Sequence, residues 1–361
     1  MSKYWNNRTK NITPYVPGEQ PKDRKFIKLN TNENPYPPSP KVIEAIKNAN
    51  NENLRLYPDP NCTEFRETIA ARYNVKCDQV FAGNGSDEVL GFAFGAFFES
   101  YSRPVLFPDI TYSFYPVYAD LWAIPYRKVP LCGDFSINCD SYKISCGGVI
   151  FPNPNAPTGI PIPLADILSL AEFLEDQDKT LIVDEAYIAF DCGGINTAIP
   201  HIKNHPNLLT VHTLSKSASL AGLRCGFAIG SEELIDGLCR IRDSFNSYTL
   251  DRLALAGGAA AIKDAAYYDE INRKVMLTRD RTSETLRGLG CEILPSGANF
   301  LFMKAPNISG STFFEKLRKQ GILVRHFNKE KISDYLRVSI GTDEEMDIFL
   351  LTCRKIIVDG E

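Results

Sequence analysis

The sequence predicts an α/β protein, in which a mainly parallel sheet flanked by helices forms a large domain and a smaller α+β domain follows. Short runs that are apolar at every position alternate with helical stretches between about residues 80 and 245. Such runs are typical of parallel strands that helices cover on both faces. Beyond Gly290 the order becomes strand, helix, two strands and a final helix, which is an α+β pattern.

Each element follows from its local pattern. The candidate strands of the large domain are 80–82, 105–107, 148–151, 181–183, 208–211 and 225–229. The candidate helices between them are 87–99, 112–121, 164–175 and 232–245. A long helix at 253–288, broken near Asp264, leads to a strand at 300–303, a helix at 311–320, strands at 323–325 and 335–340, and a helix at 343–357. We therefore predict an N-terminal arm at 1–35 that joins the small domain, a large domain at 36–255 and a small domain at 256–361.

Composition excludes several classes of protein. A net charge of −4 gives no basic surface for nucleic acid or an anionic membrane. No apolar run reaches the roughly 20 residues that a membrane-spanning helix needs. The first 20 residues lack the apolar core of a signal peptide, so we expect a cytoplasmic protein with reduced cysteines. His201 and His205 lie between prolines, where we expect a loop, and we assign no metal site.

Three positions together predict a site for pyridoxal phosphate. Lys216 lies among small hydroxyl residues, Arg224 follows eight positions later, and Asp184 ends an earlier apolar strand. The amine suits the cofactor's aldehyde, the arginine and hydroxyls suit its phosphate, and the carboxylate suits its ring nitrogen. Taken singly, Lys216 would be a solvated lysine and Asp184 a helix cap. The combination in this order favours the cofactor site.

Two further segments have both a functional and a structural interpretation. The turn at 83–88 follows a strand and opens an apolar helix, where free backbone N–H groups suit a phosphate. Alternatively, Ser86 or Asp87 simply caps that helix. Tyr112 also follows a strand, and its ring either stacks on an aromatic ligand or packs in the core.

These segments resemble the fold-type I pyridoxal phosphate enzymes of the aspartate aminotransferase superfamily. The resemblance extends over nearly the whole chain and includes residues 13–15, 29–35, 55–58, 83–88, 184–187, 213–227 and 336–342. The stretch from Thr213 to Phe227 is the most specific of them. The resemblance implies that 36–255 is the cofactor-binding domain and that the protein is a homodimer.

The resemblance also assigns roles to single residues. It implies that Lys216 forms the Schiff base and carries the proton, that Asp184 pairs with the pyridinium, that Tyr187 bonds the ring oxygen and that Tyr112 stacks on the ring. Around the cofactor phosphate it places Ser86, Asp87, Thr213, Ser215 and Arg224, with Tyr57 contributed by the other subunit. For the substrate anion it assigns Arg337, with Arg325, Tyr15 and Asn32 nearby.

The implied reaction is amino transfer between glutamate or 2-oxoglutarate and a phosphorylated amine, in amino-acid biosynthesis. An aminotransferase for aromatic or other amino acids and a decarboxylase of threonine phosphate remain as alternatives on the same scaffold. A binding or scaffold protein without catalytic activity is the third alternative, which the intact Lys216, Asp184 and Arg224 disfavour.

One position departs from the family pattern. The family usually has Asn immediately before Pro-Thr-Gly, where its amide donates to the cofactor's ring oxygen, whereas this chain has Ala156. Because that hydrogen bond stabilises the deprotonated form, its loss should raise the pKa of the Schiff base and leave the ring oxygen more dependent on Tyr187. Asn155 is included among the cofactor-binding candidates because it can substitute if the loop shifts.

Overall fold

The computed structural model describes residues 3–21, 24–191 and 196–359. Its strands are β1 Ile27–Lys28, β2 Val80–Asn84, β3 Val105–Pro108, β4 Tyr126–Val129, β5 Gly148–Pro152, β6 Leu181–Asp184, β7 Leu208–Thr213, β8 Cys225–Ile229, β9 Glu292–Ile293, β10 Phe300–Lys304, β11 Ile322–Leu323, β12 Arg325–His326 and β13 Tyr335–Ser339. Its helices are α1 Asn7–Asn11, α2 Pro40–Ala49, α3 Thr63–Tyr73, α4 Gly85–Phe97, α5 Phe114–Trp122, α6 Leu164–Glu175, α7 Leu214–Ser217, α8 Glu232–Phe245, α9 Arg252–Lys263, α10 Ala265–Gly288, α11 Gly310–Lys319 and α12 Asp343–Arg354.

A seven-stranded sheet with the order β2-β8-β7-β6-β5-β3-β4 forms the centre of the molecule. The strands from β4 to β7 pair in parallel, while β8 runs antiparallel to both β7 and β2. Successive residues of one strand enter different cores: Leu181 and Val183 pack on one face of the sheet, and Ile182 packs on the other. Burial on both faces explains why these strands are apolar at every position.

Helices cover both faces of this sheet. On one face α3, α6 and α9 contribute Phe65, Leu170 and Ala254 to the core. On the other face α4, α5 and α8 supply buried side chains that include Leu90 and Tyr115. The predicted α/β class with a mainly parallel sheet is therefore confirmed.

A second sheet, with the order β12-β13-β10-β9, lies in the C-terminal part of the chain and is antiparallel throughout. Strand β1 of the N-terminal arm pairs in parallel with β11, with Ile27 opposite Ile322. The main-chain N–H of Ser339 also donates to the carbonyl of Leu29. The arm is thus hydrogen-bonded to the C-terminal part of the chain. The domain boundaries at residues 35 and 255 stay a prediction.

Several elements were not predicted. Strand β4 lies at the edge of the sheet with Arg127 and Lys128 exposed, so it lacks the apolar signal of its neighbours. Helices α2 and α3, before residue 80, were not predicted either. The predicted strand at 323–325 is two short strands, β11 and β12, which pair with different partners. None of the helices within the described ranges is long and apolar enough to cross a bilayer.

Candidate active site

A cavity of about 260 Å³ lies where the central sheet, the arm and the second sheet meet. Asp184 and Thr213 stand at the carboxyl ends of the neighbouring parallel strands β6 and β7, where ligands of open α/β sheets bind. Arg337 reaches the cavity from β13. The predicted site residues that line it are Tyr15, Asn32, Ser86, Asp87, Tyr112, Asp184, Tyr187, Thr213, Ser215, Lys216, Arg224, Arg325 and Arg337.

Lys216 supplies the amine of this cavity. It lies on the short helix α7, directly after β7, and its Nζ donates a 3.0 Å hydrogen bond to the carbonyl of Thr31 in the arm. Burial, together with the positive charge of Arg337, lowers the pKa of Lys216 to about 8. A larger fraction of this amine is therefore neutral, and hence nucleophilic, near neutral pH.

Asp184 is a buried carboxylate whose hydrogen-bond partners among the described residues are all neutral. Its oxygens accept from the main-chain N–H of Ala186 and from the hydroxyl of Tyr115, each at 3.2 Å. Burial raises the pKa of Asp184 to about 7, although both hydrogen bonds act in the opposite direction. A cationic ring nitrogen against this carboxylate would lower the pKa again, since opposite charges at short range favour both ionised forms.

One end of the cavity has the groups that bind a phosphate. Helix α4 begins there, and Asn84 makes no side-chain cap to its first turn, so the main-chain N–H groups remain available to an anion. The Thr213 hydroxyl donates to the hydroxyl of Ser215 at 3.0 Å and accepts from the Ser215 N–H at 3.1 Å. Arg224 adds a positive charge at this end.

The side chain of Asp87 is occupied by other protein groups. Its Oδ1 accepts a 2.6 Å hydrogen bond from the hydroxyl of Tyr112, and its Oδ2 pairs with Nη2 of Arg224 at 3.0 Å. A carboxylate only accepts hydrogen bonds from neutral or cationic donors and repels an anion. Only the main-chain N–H of Asp87 can therefore contact a phosphate, while its side chain orients Arg224 and Tyr112.

Arg337 lines the cavity from β13, with one of its donors free. Its Nη2 donates to the carbonyl of Asn30 at 3.0 Å, and its guanidinium lies 5.5 Å from the ring centre of Phe300 and 5.7 Å from that of Phe327. Its buried Nε–H has no hydrogen-bond partner among the described residues. Because an unpaired buried donor is costly, this N–H is suited to donate to an anion in the cavity. Arg325, which lies opposite Arg337 in the pairing of β12 with β13, also lines the cavity.

The structure does not bring two of the predicted residues to the cavity. Asn155 is buried in its own loop, where its amide donates to the carbonyl of Ile110 and to the hydroxyl of Thr158 and accepts from Thr111. No group of this amide remains to replace the missing amide at Ala156, which does line the cavity. Tyr57 is 78% exposed and stacks on Tyr248, with ring centres 4.6 Å apart.

Several groups of this site were not predicted from the sequence. Tyr115 bonds Asp184, and the main-chain carbonyls of Asn30 and Thr31 accept from Arg337 and Lys216. Glu33 also lines the cavity, and its carboxylate accepts from the hydroxyl of Thr31 at 2.9 Å. A carbonyl carries no side-chain signal, so only the fold reveals these acceptors.

Comparison with known proteins places the chain in a family. The model of the family described as aminotransferase class I and II matches residues 24–351. The chain belongs to this aminotransferase family. It is 54% identical to the histidinol-phosphate aminotransferase of Clostridium acetobutylicum over 350 residues, covering 97% of this chain and 98% of that protein. It is 51% identical to the protein of the same name from Clostridium beijerinckii over 361 residues, covering 100% and 99%.

Solved structures of aminotransferases share the architecture of this chain. The histidinol-phosphate aminotransferase of Sinorhizobium meliloti, solved in complex with pyridoxal-5'-phosphate, superposes with a TM-score of 0.88 at 23% identity and covers 100% of this chain and 99% of that one. The enzyme of that name solved from Clostridium acetobutylicum gives 0.84 at 23% identity, covering 92% and 99%. At this identity the likeness concerns the fold alone.

The residues of the cavity fit pyridoxal phosphate. A buried amine with a lowered pKa, a buried carboxylate with neutral hydrogen-bond partners, and a helix N-terminus beside an arginine lie around one space of suitable size. These are the partners that the aldehyde, the ring nitrogen and the phosphate require. The prediction of a pyridoxal phosphate aminotransferase is confirmed by the family, whereas the role of each single residue stays a proposal.

Proposed function

We propose that this chain is a histidinol-phosphate aminotransferase. It would transfer the amino group between histidinol phosphate and 2-oxoglutarate, giving imidazole acetol phosphate and glutamate, in histidine biosynthesis. One observation carries the proposal: the cavity that holds Lys216 is lined by two cationic groups from different parts of the fold, Arg224 beside α4 and Arg337 on β13 with its free Nε–H. The identity of 54% to a relative of that name supports the same substrate.

Each residue has a definite task in this proposal. Bound pyridoxal phosphate supplies the electron sink for the bonds of the substrate's α-carbon. Asp184 holds the ring nitrogen in its protonated state, and Arg224 with the first turn of α4 anchors the phosphate. The Lys216 amine would take the proton from the substrate's α-carbon and return it one carbon away. Its lowered pKa keeps a useful fraction of the amine neutral for that work.

The two half-reactions need one site for two different anions. Glutamate offers a carboxylate and histidinol phosphate offers a phosphate, and a planar guanidinium binds two oxygens of either group. Arg337 and its neighbour Arg325 both line the cavity and have this geometry. Glu33 also lines the cavity; Lys28 and Thr31 both donate to its Oε2, so Oε1 can accept an N–H of a substrate ring.

We also propose that the enzyme is a homodimer in the cytoplasm. The exposed, stacked pair of Tyr57 and Tyr248, with Leu54, Leu56 and Phe245 nearby in sequence and also exposed, gives an apolar surface that a second copy can cover. The nine cysteines of the described ranges are free thiols, as is typical of a reducing compartment.

A half-reaction tests the substrate. The cofactor-loaded enzyme is mixed separately with histidinol phosphate, histidinol and phenylalanine, and the conversion of the cofactor to its aminated form is followed by absorbance. We expect histidinol phosphate to react at least about tenfold faster per unit concentration than the others, because histidinol offers the arginine donors no anion and phenylalanine offers them a carboxylate in place of a phosphate. A faster response to phenylalanine would instead identify an aromatic amino-acid aminotransferase. In a separate incubation with threonine phosphate, release of carbon dioxide would identify a decarboxylase.

A further inference from the structure

Tyr187 lies at the cavity, directly after β6, with its proton available. Its ring packs edge-on against Phe300 at 5.2 Å, and its hydroxyl accepts a 3.0 Å hydrogen bond from Nδ2 of Asn32. Among the described residues, the Tyr187 hydroxyl is hydrogen-bonded to Asn32 and makes no other bond that would take its proton. A hydroxyl has one proton, and accepting from Asn32 does not use it. Tyr187 can therefore donate to a ligand in the cavity.

The direction of this hydrogen bond depends on which way the Asn32 amide faces. With Nδ2 toward Tyr187 the tyrosine accepts and keeps its proton. If the amide turned over, Oδ1 would face Tyr187 and take the tyrosine proton, so that no donor would remain for a ligand. The two orientations have almost the same shape, so packing alone distinguishes them poorly. Another group must fix the amide.

Ser339 is that group. Its hydroxyl oxygen accepts the main-chain N–H of Asn32 at 2.8 Å, and its proton is donated to Oδ1 of Asn32 at 2.9 Å. Ser339 is 2% exposed and Asn32 is 1% exposed, so water does not compete for these bonds. In the opposite orientation Ser339 would receive two N–H donors and its own buried proton would lack an acceptor. That loss disfavours the turned amide.

The main chain around Asn32 is held in place as well. Asn32 has φ 55°, a left-handed conformation that Asn tolerates better than most residues. Its carbonyl accepts from Nδ2 of Asn299 at 3.0 Å, and the neighbouring Ser339 N–H bonds the carbonyl of Leu29. The main chain at Asn32 and the orientation of its side-chain amide are therefore both fixed. The Oδ1 and one N–H of the Asn32 amide are already hydrogen-bonded within the protein. Asn32 therefore contacts Tyr187 more directly than it can contact a substrate.

This arrangement matters because of Ala156. The family pattern has two donors for the cofactor's ring oxygen, and this chain keeps only the tyrosine. We propose that Ser339 is a positioning residue, whose hydroxyl orients the Asn32 amide so that Tyr187 keeps its proton for the ring oxygen of pyridoxal phosphate. This inference rests on the proposed function, since it requires that the cofactor binds in this cavity.

The test is a pH titration of the bound cofactor's absorbance. In Ser339→Ala the amide can turn and take the Tyr187 proton. We expect the midpoint of the spectral change to rise by about 0.5 to 1 pH unit, because the ring oxygen of the deprotonated Schiff base loses its hydrogen-bond donor. A shift of this size corresponds to the free energy of one neutral hydrogen bond. Ser339→Thr retains the hydroxyl and should titrate like the unaltered enzyme.

A double variant separates positioning from a purely structural role. Tyr187→Phe should raise the midpoint by itself, and adding Ser339→Ala to it should change nothing more, because the donor is already absent. The idea fails if Ser339→Ala only lowers the melting temperature without moving the midpoint, or if the double variant shifts beyond Tyr187→Phe. If Ser339→Thr does not fold, the comparison of Tyr187→Phe with the double variant tests the proposal without it. Absence of a cofactor spectrum in the unaltered protein would instead overturn the proposed function.

Discussion

Lys216 shows how the cavity changes the chemistry of a single residue. Burial is the largest cause of its lowered pKa, and the charges of Arg337 and Arg224 add to it, while Glu33 and Asp87 act in the opposite direction. With a pKa of about 8, roughly one amine in ten is neutral at pH 7, against about one in three thousand for an ordinary lysine. The two arginines that we propose as anion-binding groups therefore also help to keep the Lys216 amine neutral.

A pH dependence follows for the capture of pyridoxal phosphate by the cofactor-free protein. Only the neutral amine attacks the aldehyde, so the rate should rise about tenfold per pH unit below pH 8 and level off above it. Stopped-flow absorbance between pH 6 and pH 10 measures this. In Arg337→Met the plateau should begin at a higher pH, because a positive charge that lowers the lysine's pKa is gone. A rate that still rises steeply between pH 9 and pH 10 in the unaltered protein would contradict the lowered pKa.

Among the elements around the cavity, the first turn of α4 and the loop before β8 are in close contact, and we propose that together they bind the cofactor phosphate. Gly85 has φ 77°, and a Cβ built on it would lie 2.5 Å from Nη2 of Arg224. Arg224 itself has φ 57°, and its guanidinium pairs with Asp87 in the first turn of the helix. A side chain at position 85 would therefore force the arginine away from the helix N-terminus.

Gly85→Ala should weaken cofactor binding more than it weakens folding. Losing one charge-assisted contact corresponds to a rise in Kd of roughly 10- to 100-fold, whereas the backbone penalty costs on the order of 1 kcal/mol. Gly222→Ala is the matched control, since a Cβ there meets nothing within 4 Å. Absorbance titration of the cofactor-free proteins gives both constants. Equal constants for the two variants would show that the contact between Gly85 and Arg224 does not shape the site.

Elements with a local sequence pattern could be predicted, and elements that depend on distant partners could not. Helices α6 and α8 begin and end where the pattern placed them, because the apolar face that marks each helix is local in sequence. Strand β1 has only two residues and depends on a partner at Ile322, almost 300 positions away, so no local pattern marks it. Likewise the motifs predicted Lys216 and Arg337, but not the carbonyls of Thr31 and Asn30 that hold them.

The whole molecule builds its cavity from three separate parts of the chain. The central sheet and the helix α7 that follows it supply Asp184 and Lys216, the arm supplies Asn32, and the second sheet supplies Arg337, with Ser339 of the same strand bonded to Asn32. Hydrogen bonds between β13 and the arm set the position of Tyr187 through Asn32. Movement of the C-terminal part relative to the central sheet would therefore change both substrate binding and the environment of the cofactor.

One predicted ligand of the phosphate remains outside this cavity. Tyr57 is exposed and stacks on Tyr248, and it does not line the cavity of its own chain. If Tyr57 completes the site of the other subunit, the Tyr57→Ala homodimer should bind pyridoxal phosphate about tenfold or more weakly, through loss of one hydrogen bond to a charged group. Differently tagged subunits allow hybrid dimers to be purified and titrated to distinguish the two subunits' contributions.

In a hybrid of a Tyr57→Ala subunit and a Lys216→Ala subunit, the remaining Lys216 lies beside the intact Tyr57 of its neighbour. We expect this hybrid to bind one cofactor through Lys216 with the affinity of the unaltered enzyme. A hybrid with both substitutions in one subunit should bind weakly at its intact lysine, since the neighbour then offers only a methyl group in place of the tyrosine hydroxyl. The reverse ranking would place Tyr57 in its own subunit's site, and a monomer in solution would exclude sharing altogether, so the affinities of the two hybrids decide which subunit supplies the tyrosine.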